Sequence, residues 1–370
     1  MNIAFRADAS IEIGTGHVMR CLTLADELTR QGHECQFICR EHRGHLGELI
    51  SSKGYELTLL PAATDTELDS LANGTNAYAD WLGVSWQQDA EQTIEALASL
   101  SADWLVVDHY ALDARWEQQL ANVVNQIMVI DDLADREHKC SLLLDQNVLG
   151  AKVQHRYEAK VNKTCRLLLG PRYALLRPEY GLMADVLPER DGNISRVLIF
   201  VGGSDPYHLT ERYLHALDAP EFDHLFVDVV MGKNHSSPEM VKQLVAKRAK
   251  ARLYAGLPSL AALMVRADLM LGAGGATNWE RMCLGLNSVV VSVARNQDDI
   301  NRELESQALI SFVGNAEGLD VDSIREAMQF VLESPKHNQG QSIAMRRMVD
   351  GHGAQHVAQQ LQEVFCSVSA

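Results

Sequence analysis

Short apolar runs rich in β-branched residues alternate along this chain with stretches of helical periodicity, and no other feature constrains the fold as tightly. In the first half the runs fall at 2–8, 36–40, 55–60, 104–108 and 127–131, with shorter ones at 142–145 and 166–169. In the second half they fall at 196–201, 225–231, 252–254, 269–271 and 288–293. A sheet with one wet face would alternate apolar and polar residues, so nearly continuous apolar strands predict a parallel sheet covered by helices on both faces. Between runs the period changes. Val18, Cys21, Leu22, Ala25 and Leu28 share one helical face, and Gly32 is a natural stop. Repetition of this unit predicts an α/β fold of βαβ units, doubly wound and Rossmann-like.

A chain of 370 residues, 46% of them hydrophobic, favours two such domains over one. The polar stretch Leu187-Pro188-Glu189-Arg190-Asp191-Gly192-Asn193 separates the two sets of runs and reads as a linker. The expected division is therefore 1–187 and 188–370, the two domains facing each other across a cleft. The last helical pattern, 352–365, can pack on either. No internal sequence repeat is evident.

The net charge of −16, from 33 Lys and Arg against 49 Asp and Glu, comes without any basic stripe. Nucleic acid is excluded as a partner on this ground, because that affinity rests on phosphate neutralisation. The seven cysteines are odd in number and include no Cys-x-x-Cys pair, which predicts a reducing compartment without structural zinc. The first residues lack the charged and apolar regions of a signal peptide, and no apolar segment approaches the ~20 residues that span a bilayer. The expectation is a cytoplasmic monomer without stable membrane association, metal or cofactor.

Three strand-to-helix turns carry the candidate chemistry. In Gly14-Thr15-Gly16-His17 the glycines allow close backbone approach, and the helix start offers unpaired N–H groups to a phosphate. Met19 stands where a dinucleotide fingerprint needs its third glycine, so NAD is a poor fit. His17 has two readings, a base that takes a proton from water or a simple hydrogen-bond donor. Asp8, closing the preceding strand, is the candidate to orient its ring. In Gly272-Ala273-Gly274-Gly275-Ala276-Thr277-Asn278-Trp279-Glu280 the small residues and the hydroxyl suit a phosphate cradle, and Glu280 suits ribose hydroxyls. In Gly202-Gly203-Ser204-Asp205-Pro206 the candidate contacts are Gly203 and Ser204; Asp205 reads as a helix cap and Pro206 as a first-turn residue. Ligands of α/β sheets bind outside the carboxyl ends of strands, where all three turns are predicted.

Other residues have plainer readings. Asp131 and Asp132 read as caps or surface groups, Asp320 and Asp322 as capping residues rather than a metal pair, and His42 and His45 lack a third ligand for zinc. Cys35 and Cys39 share a strand face and read as core.

Gly14-Thr15-Gly16-His17 with Arg20-Cys21, Leu144-Asp145-Gln146-Asn147, Gly170-Pro171-Arg172-Tyr173, Gly202-Gly203-Ser204-Asp205 and Gly274-Gly275-Ala276-Thr277-Asn278-Trp279-Glu280, followed by Asn296-Gln297, form an ordered set along nearly the whole chain. The set resembles the UDP-2,4-diacetamido-2,4,6-trideoxy-β-L-altropyranose hydrolases of pseudaminic acid biosynthesis. The resemblance implies a glycosyltransferase-B fold and a UDP-sugar as small-molecule substrate. It also implies inverting attack of water at the anomeric carbon, with cleavage of C–O. It assigns the catalytic base to His17, uridine-nucleotide contacts to 274–280, and sugar or diphosphate contacts to Asn296 and Gln297. The readings that compete with it are a UDP-sugar-dependent glycosyltransferase of the same fold and a non-catalytic nucleotide-sugar binding protein.

Overall fold

The computed structural model describes residues 1–63, 77–98, 100–148, 150 and 155–368. The chain divides into two compact units, Met1–Leu175 with His352–Ala370, and Leu176–Gly351.

The first unit holds a seven-stranded sheet of β1 (Asn2–Ala7), β2 (Glu34–Arg40), β3 (Glu56–Leu60), β4 (Trp104–Asp108), β5 (Gln126–Ile130), β6 (Leu142–Asp145) and β7 (Arg166–Leu169). Their order is β3-β2-β1-β4-β5-β6-β7, and every ladder between neighbours is parallel. Successive side chains of a strand point to opposite faces, which sorts one apolar run into two cores. Phe5, Val106 and Met128 enter one core, under the helix Gly16–Arg30. Ala4, Leu105, Val107 and Val129 enter the other, with Trp116 and Leu120 of the helix Ala114–Leu120. The last helix, Gly353–Val368, places Ala354, Val357, Ala358 and Leu361 in the first of these cores and packs on the helix Gly16–Arg30.

The second unit holds β8 (Arg196–Phe200), β9 (Phe226–Met231), β10 (Ala251–Ala255), β11 (Leu269–Ala273), β12 (Asn287–Ser292) and β13 (Ser311–Asn315), in the parallel order β10-β9-β8-β11-β12-β13. The strand β13 is absent from the sequence expectation. It is an edge strand, only part-buried and with Gly314 in its run, so it lacks the apolar signature of its neighbours.

The division falls after Leu175, not at 187. The helix Pro178–Val186 packs on the helices Ala261–Arg266 and Thr277–Cys283 and so belongs to the second unit. The stretch 187–193 is irregular but anchored within that unit. Arg190 donates to the carbonyls of Met264, Ala267 and Leu284, and Asn338 donates to that of Gly192.

In each sheet the winding reverses once, between β1 and β4 in the first and between β8 and β11 in the second. At such a reversal the connections leave to opposite faces and open a crevice outside the carboxyl ends of the strands. Among the described residues no helix is long and apolar enough to cross a membrane.

Candidate functional site

The reversal point of the first unit carries a histidine–carboxylate pair. β1 leads through Gly14, at φ +79°, into the helix Gly16–Arg30, whose second residue is His17. β4, in register beside β1, ends in Asp108. His17 Nδ1 lies 2.6 Å from Asp108 Oδ1, with His17 8% exposed and Asp108 fully buried. One turn along the same helix, Arg20 grips this carboxylate through both oxygens, at 2.5 and 2.7 Å, and reaches Asp132 at 3.0 Å. Burial opposes ionisation of Asp108, but the Arg20 guanidinium and the His17 ring outweigh it and hold its carboxyl well below the usual range. A carboxylate on Nδ1 fixes the tautomer that carries its proton there and leaves the lone pair on Nε2, which no described residue bonds. The rings of Tyr110 and Trp81 stand edge-on to the imidazole, at centroid distances of 4.6 and 6.3 Å. Burial and the neighbouring Asp132 push the Tyr110 phenol far above its usual value.

Asp8 does not orient His17. It closes β1 on the side that faces β2 and accepts from both Nη atoms of Arg6, at 2.6 and 2.8 Å, and from the Arg40 amide at 2.7 Å. His109 Nε2 and His42 Nε2 approach it at 3.3 and 3.6 Å. Arg6 and Arg40 also bind Asp89, forming a buried charge network. Sequence reasoning chose Asp8 because it precedes the turn. The partner instead comes from the adjacent strand in space, and Asp108, a lone acid ending the apolar run 104–107, was the signal available.

Asp131 and Asp145 end β5 and β6 in the same way. Asp131 accepts from the Leu133 and Ala134 amides and pairs with Arg136, which makes it a turn cap. Asp145 accepts from Arg156, Tyr157 and the Asn147 amide, and burial raises its carboxyl to about 6 against the pull of Arg156. Among the described residues no group of three His, Cys, Asp or Glu side chains is placed to hold a metal ion.

In the second unit the glycine-rich turn follows β11 at the reversal point. A Cβ on Gly272 would lie 2.7 Å from the Phe200 carbonyl, and one on Gly274 2.5 Å from the Asn301 amide, while Gly275 sits at φ +107°. The Gly274 amide donates to the Val291 carbonyl, tying the turn to β12. Ala276 is the cap residue of the helix Thr277–Cys283. Asn278 is 1% exposed, and its side chain binds Arg281 and, at 3.1 Å, Asn301; Asn301 in turn donates to Ser292. Asn278 thus braces the turn from within, and its amide is not presented to a ligand. Gln297 accepts from the Val293 amide at 3.0 Å and places its Nε2 3.6 Å from where a Gly275 Cβ would be. Asn296 is exposed in the first turn of the helix Arg295–Ser306. Burial raises the Glu280 carboxyl, against the pull of Tyr180 and Arg177.

The turn after β8 has Gly202 at φ +123°. The carbonyls of Gly203 and Ser204 accept from the Asn234 and Ser236 amides, so their acceptors are spent on the neighbouring loop. Asp205 caps the helix Leu209–Ala216 by accepting from the Leu209 and Thr210 amides, both at 2.8 Å. Pro206 lies in the turn before that helix, not in its first turn, because the helix begins three residues later at Leu209. Asp320 accepts from the Ser323 amide and caps the helix Val321–Leu332.

No family model matches the chain. The spore coat polysaccharide biosynthesis protein SpsG of Bacillus subtilis is 22% identical over 367 residues, 99% of each chain. The UDP-2,4-diacetamido-2,4,6-trideoxy-beta-L-altropyranose hydrolase of Campylobacter jejuni is 22% identical over 300 residues, 80% of this chain and 94% of that one. The uncharacterized protein MJ1062 of Methanocaldococcus jannaschii is 24% identical over 310 residues, 82% of this chain, and the match spans 57% of its own length. Among solved structures, MurG of Acinetobacter baumannii superposes with a TM-score of 0.67 at 13% identity, covering 98% of this chain and 99% of that one. UGT71G1 of Medicago truncatula, complexed with UDP-glucose, superposes with a TM-score of 0.66 at 11% identity, covering 98% of each. The fold is that of the glycosyltransferase-B structures.

Proposed function

We propose that this chain is an enzyme of nucleotide-sugar chemistry that releases UDP from a UDP-linked diacetamido-trideoxy sugar by attack of water at the anomeric carbon. The observation that carries the reading is the buried His17–Asp108 pair, whose Nδ1 is held at 2.6 Å while no described residue bonds Nε2. Nε2 takes the proton of the attacking water, a C–O bond forms at the anomeric carbon, and the bond to the diphosphate breaks with its electron pair leaving on UDP. Asp108 stabilises the imidazolium that results. UDP departs as a stable anion, so no general acid is needed. In the second unit the diphosphate is assigned to the backbone of the 272–276 turn and the start of the Arg295–Ser306 helix, with Gly203, Ser204, Thr277 and Asn296 as further contacts and Glu280 on the ribose; in the first unit Gly14, Thr15 and Gly16, beside His17, are assigned to substrate contact. The hydrolase from Campylobacter jejuni supports water as acceptor and this sugar as substrate.

A second reading, transfer of the sugar to an acceptor hydroxyl, is favoured by the fold shared with MurG and UGT71G1; His17 would then deprotonate that hydroxyl. One experiment separates the two. The protein is incubated with the UDP-sugar alone and UDP is measured. Release of UDP with stoichiometric free sugar supports hydrolysis, and UDP-sugar bound without turnover refutes it. His17→Ala is expected to lower kcat by about 10²–10⁴-fold while UDP still binds, and near-normal turnover would remove His17 from the role.

A further inference from the structure

The sequence offers no Cys-x-x-Cys pair, yet the fold brings two distant cysteines together. Cys140 precedes β6 and Cys165 immediately precedes β7, and the Arg166 amide donates to the Ser141 carbonyl at 2.9 Å, which fixes the two strand entries side by side. Their sulfurs stand 3.6 Å apart. A disulfide needs ~2.05 Å, so each sulfur would move by about 0.8 Å. Both are free thiols, Cys140 buried and Cys165 half-buried and accessible to a small reagent. The other thiols in the chain show no comparable pairing among the described residues, and Cys366 is exposed on the last helix.

We propose that Cys140 and Cys165 form an oxidisable dithiol that a peroxide converts into a disulfide clamping the amino ends of β6 and β7. Cys165, the accessible partner, attacks the peroxide as its thiolate; the O–O bond breaks and Cys165 becomes a sulfenic acid, with one oxygen leaving as water. Cys140 gives up its proton and attacks the Cys165 sulfur, the S–O bond breaks, and a second water leaves. Two thiols and one peroxide thus yield one disulfide and two waters. The contact with Cys165 and burial push the Cys140 thiol far up, in keeping with its part as the resolving partner rather than the first nucleophile. The closed loop runs from 140 to 165 and carries Arg156 and Tyr157, which hold Asp145 at the other end of β6. Cross-linking restricts the unfolded chain across this loop, so the oxidised form is the more stable one.

The test uses the full chain with Cys366→Ser, treated in the folded state with hydrogen peroxide at a few equivalents and then digested without reduction. The expected result is a linked peptide pair joining Cys140 to Cys165, with the protein lighter by two hydrogen atoms. The urea midpoint should rise and return to its starting value with dithiothreitol. In Cys165→Ser, Cys140 should stay alkylatable after denaturation. Cys165 carried to sulfinic acid with Cys140 still free, a disulfide elsewhere, or an unchanged midpoint in the linked form would each overturn the proposal.

Discussion

Raising the pH should unlatch the first unit at His138. This ring is buried, with Nδ1 2.6 Å from Glu117 and Nε2 3.8 Å from Asp131. Burial alone would lower its pKa, but Asp131 and Glu117 more than compensate and raise it to about 9 from the ordinary 6.5. The folded state therefore holds a proton that the unfolded chain releases earlier. The contribution is fully present below pH 6.5 and is lost as pH rises to about 9. A difference of about 2.5 pH units at ~1.36 kcal/mol each amounts to roughly 3 kcal/mol. Urea unfolding followed by tryptophan fluorescence suits the test, since Trp81, Trp86, Trp104 and Trp116 lie in the first unit and only Trp279 in the second. Wild type and His138→Gln should be compared at pH 6 and pH 9.5. Burial also pushes up the Cys21 and Cys39 thiols, whose contribution falls with rising pH in both proteins and cancels in the difference. The wild-type advantage should shrink by roughly 3 kcal/mol across the window. Parallel curves for the two proteins would refute the ion-pair reasoning.

Asp108→Asn should lower kcat by about 10²–10⁴-fold with little change in UDP affinity, because it removes the group that holds the His17 tautomer; an unchanged kcat in steady-state assay would release Asp108 from that role. Asp8→Asn should instead cost about 3–5 kcal/mol in urea unfolding by leaving Arg6 short of its partner, with kcat retained in the folded fraction; a kcat collapse at normal stability would restore Asp8 to the catalytic pair. Gly274→Ala should destabilise the second unit by about 1–3 kcal/mol through overlap with Asn301, and Asn301→Ala in the same chain should recover part of the loss by thermal unfolding.

What was legible in the sequence was whatever local periodicity encodes. The runs that became β1, β4, β8 and β11 are apolar because helices cover both faces, and the same covering makes them easy to read. Strand β13 carries Ser311, Gly314 and Asn315 on a part-buried edge, so the signal fails there for the reason it succeeds elsewhere. The end of the first unit was misplaced because polarity and proline at 187–193 look the same in a linker and in a segment pinned by Arg190. For the candidate site, Gly272, Gly274 and Gly275 could be read as a turn, but not the inward brace of Asn278, which depends on Asn301 and Ser292 from other elements. Asp108 itself stands out at the end of its apolar run, but its partnership was hidden for a related reason: pairing of β1 with β4 places it 91 residues from His17 along the chain yet 2.6 Å away.

Why His17 and not another buried histidine should be the base follows from how carboxylates are distributed at the strand ends. β4, β5 and β6 each run into an aspartate, Asp108, Asp131 and Asp145, and each must find a partner once burial removes water. Asp131 shares His138 with Glu117, so both ring nitrogens face acids and the imidazole holds its proton to about pH 9. Such a ring cannot accept a proton at neutral pH, however well placed. Asp145 takes Arg156 and Tyr157, with no imidazole among its described hydrogen-bond partners. Asp8, after β1, has a guanidinium on both oxygens and the buried His109 beside one, but His109 accepts from the Ala111 amide at Nδ1 and faces Asp8 with Nε2, so both its nitrogens are taken up by the protein. Asp108 has His17 on one oxygen and the Arg20 guanidinium on both, so its charge is divided between them. The carboxylate fixes the His17 tautomer, with the proton on Nδ1 and Nε2 bonded by no described residue. Arg20 holds that carboxylate in place, so exchanging it for a neutral residue should lower kcat by loosening the His17–Asp108 contact. An unchanged kcat in Arg20→Gln would show that the guanidinium does not position the pair.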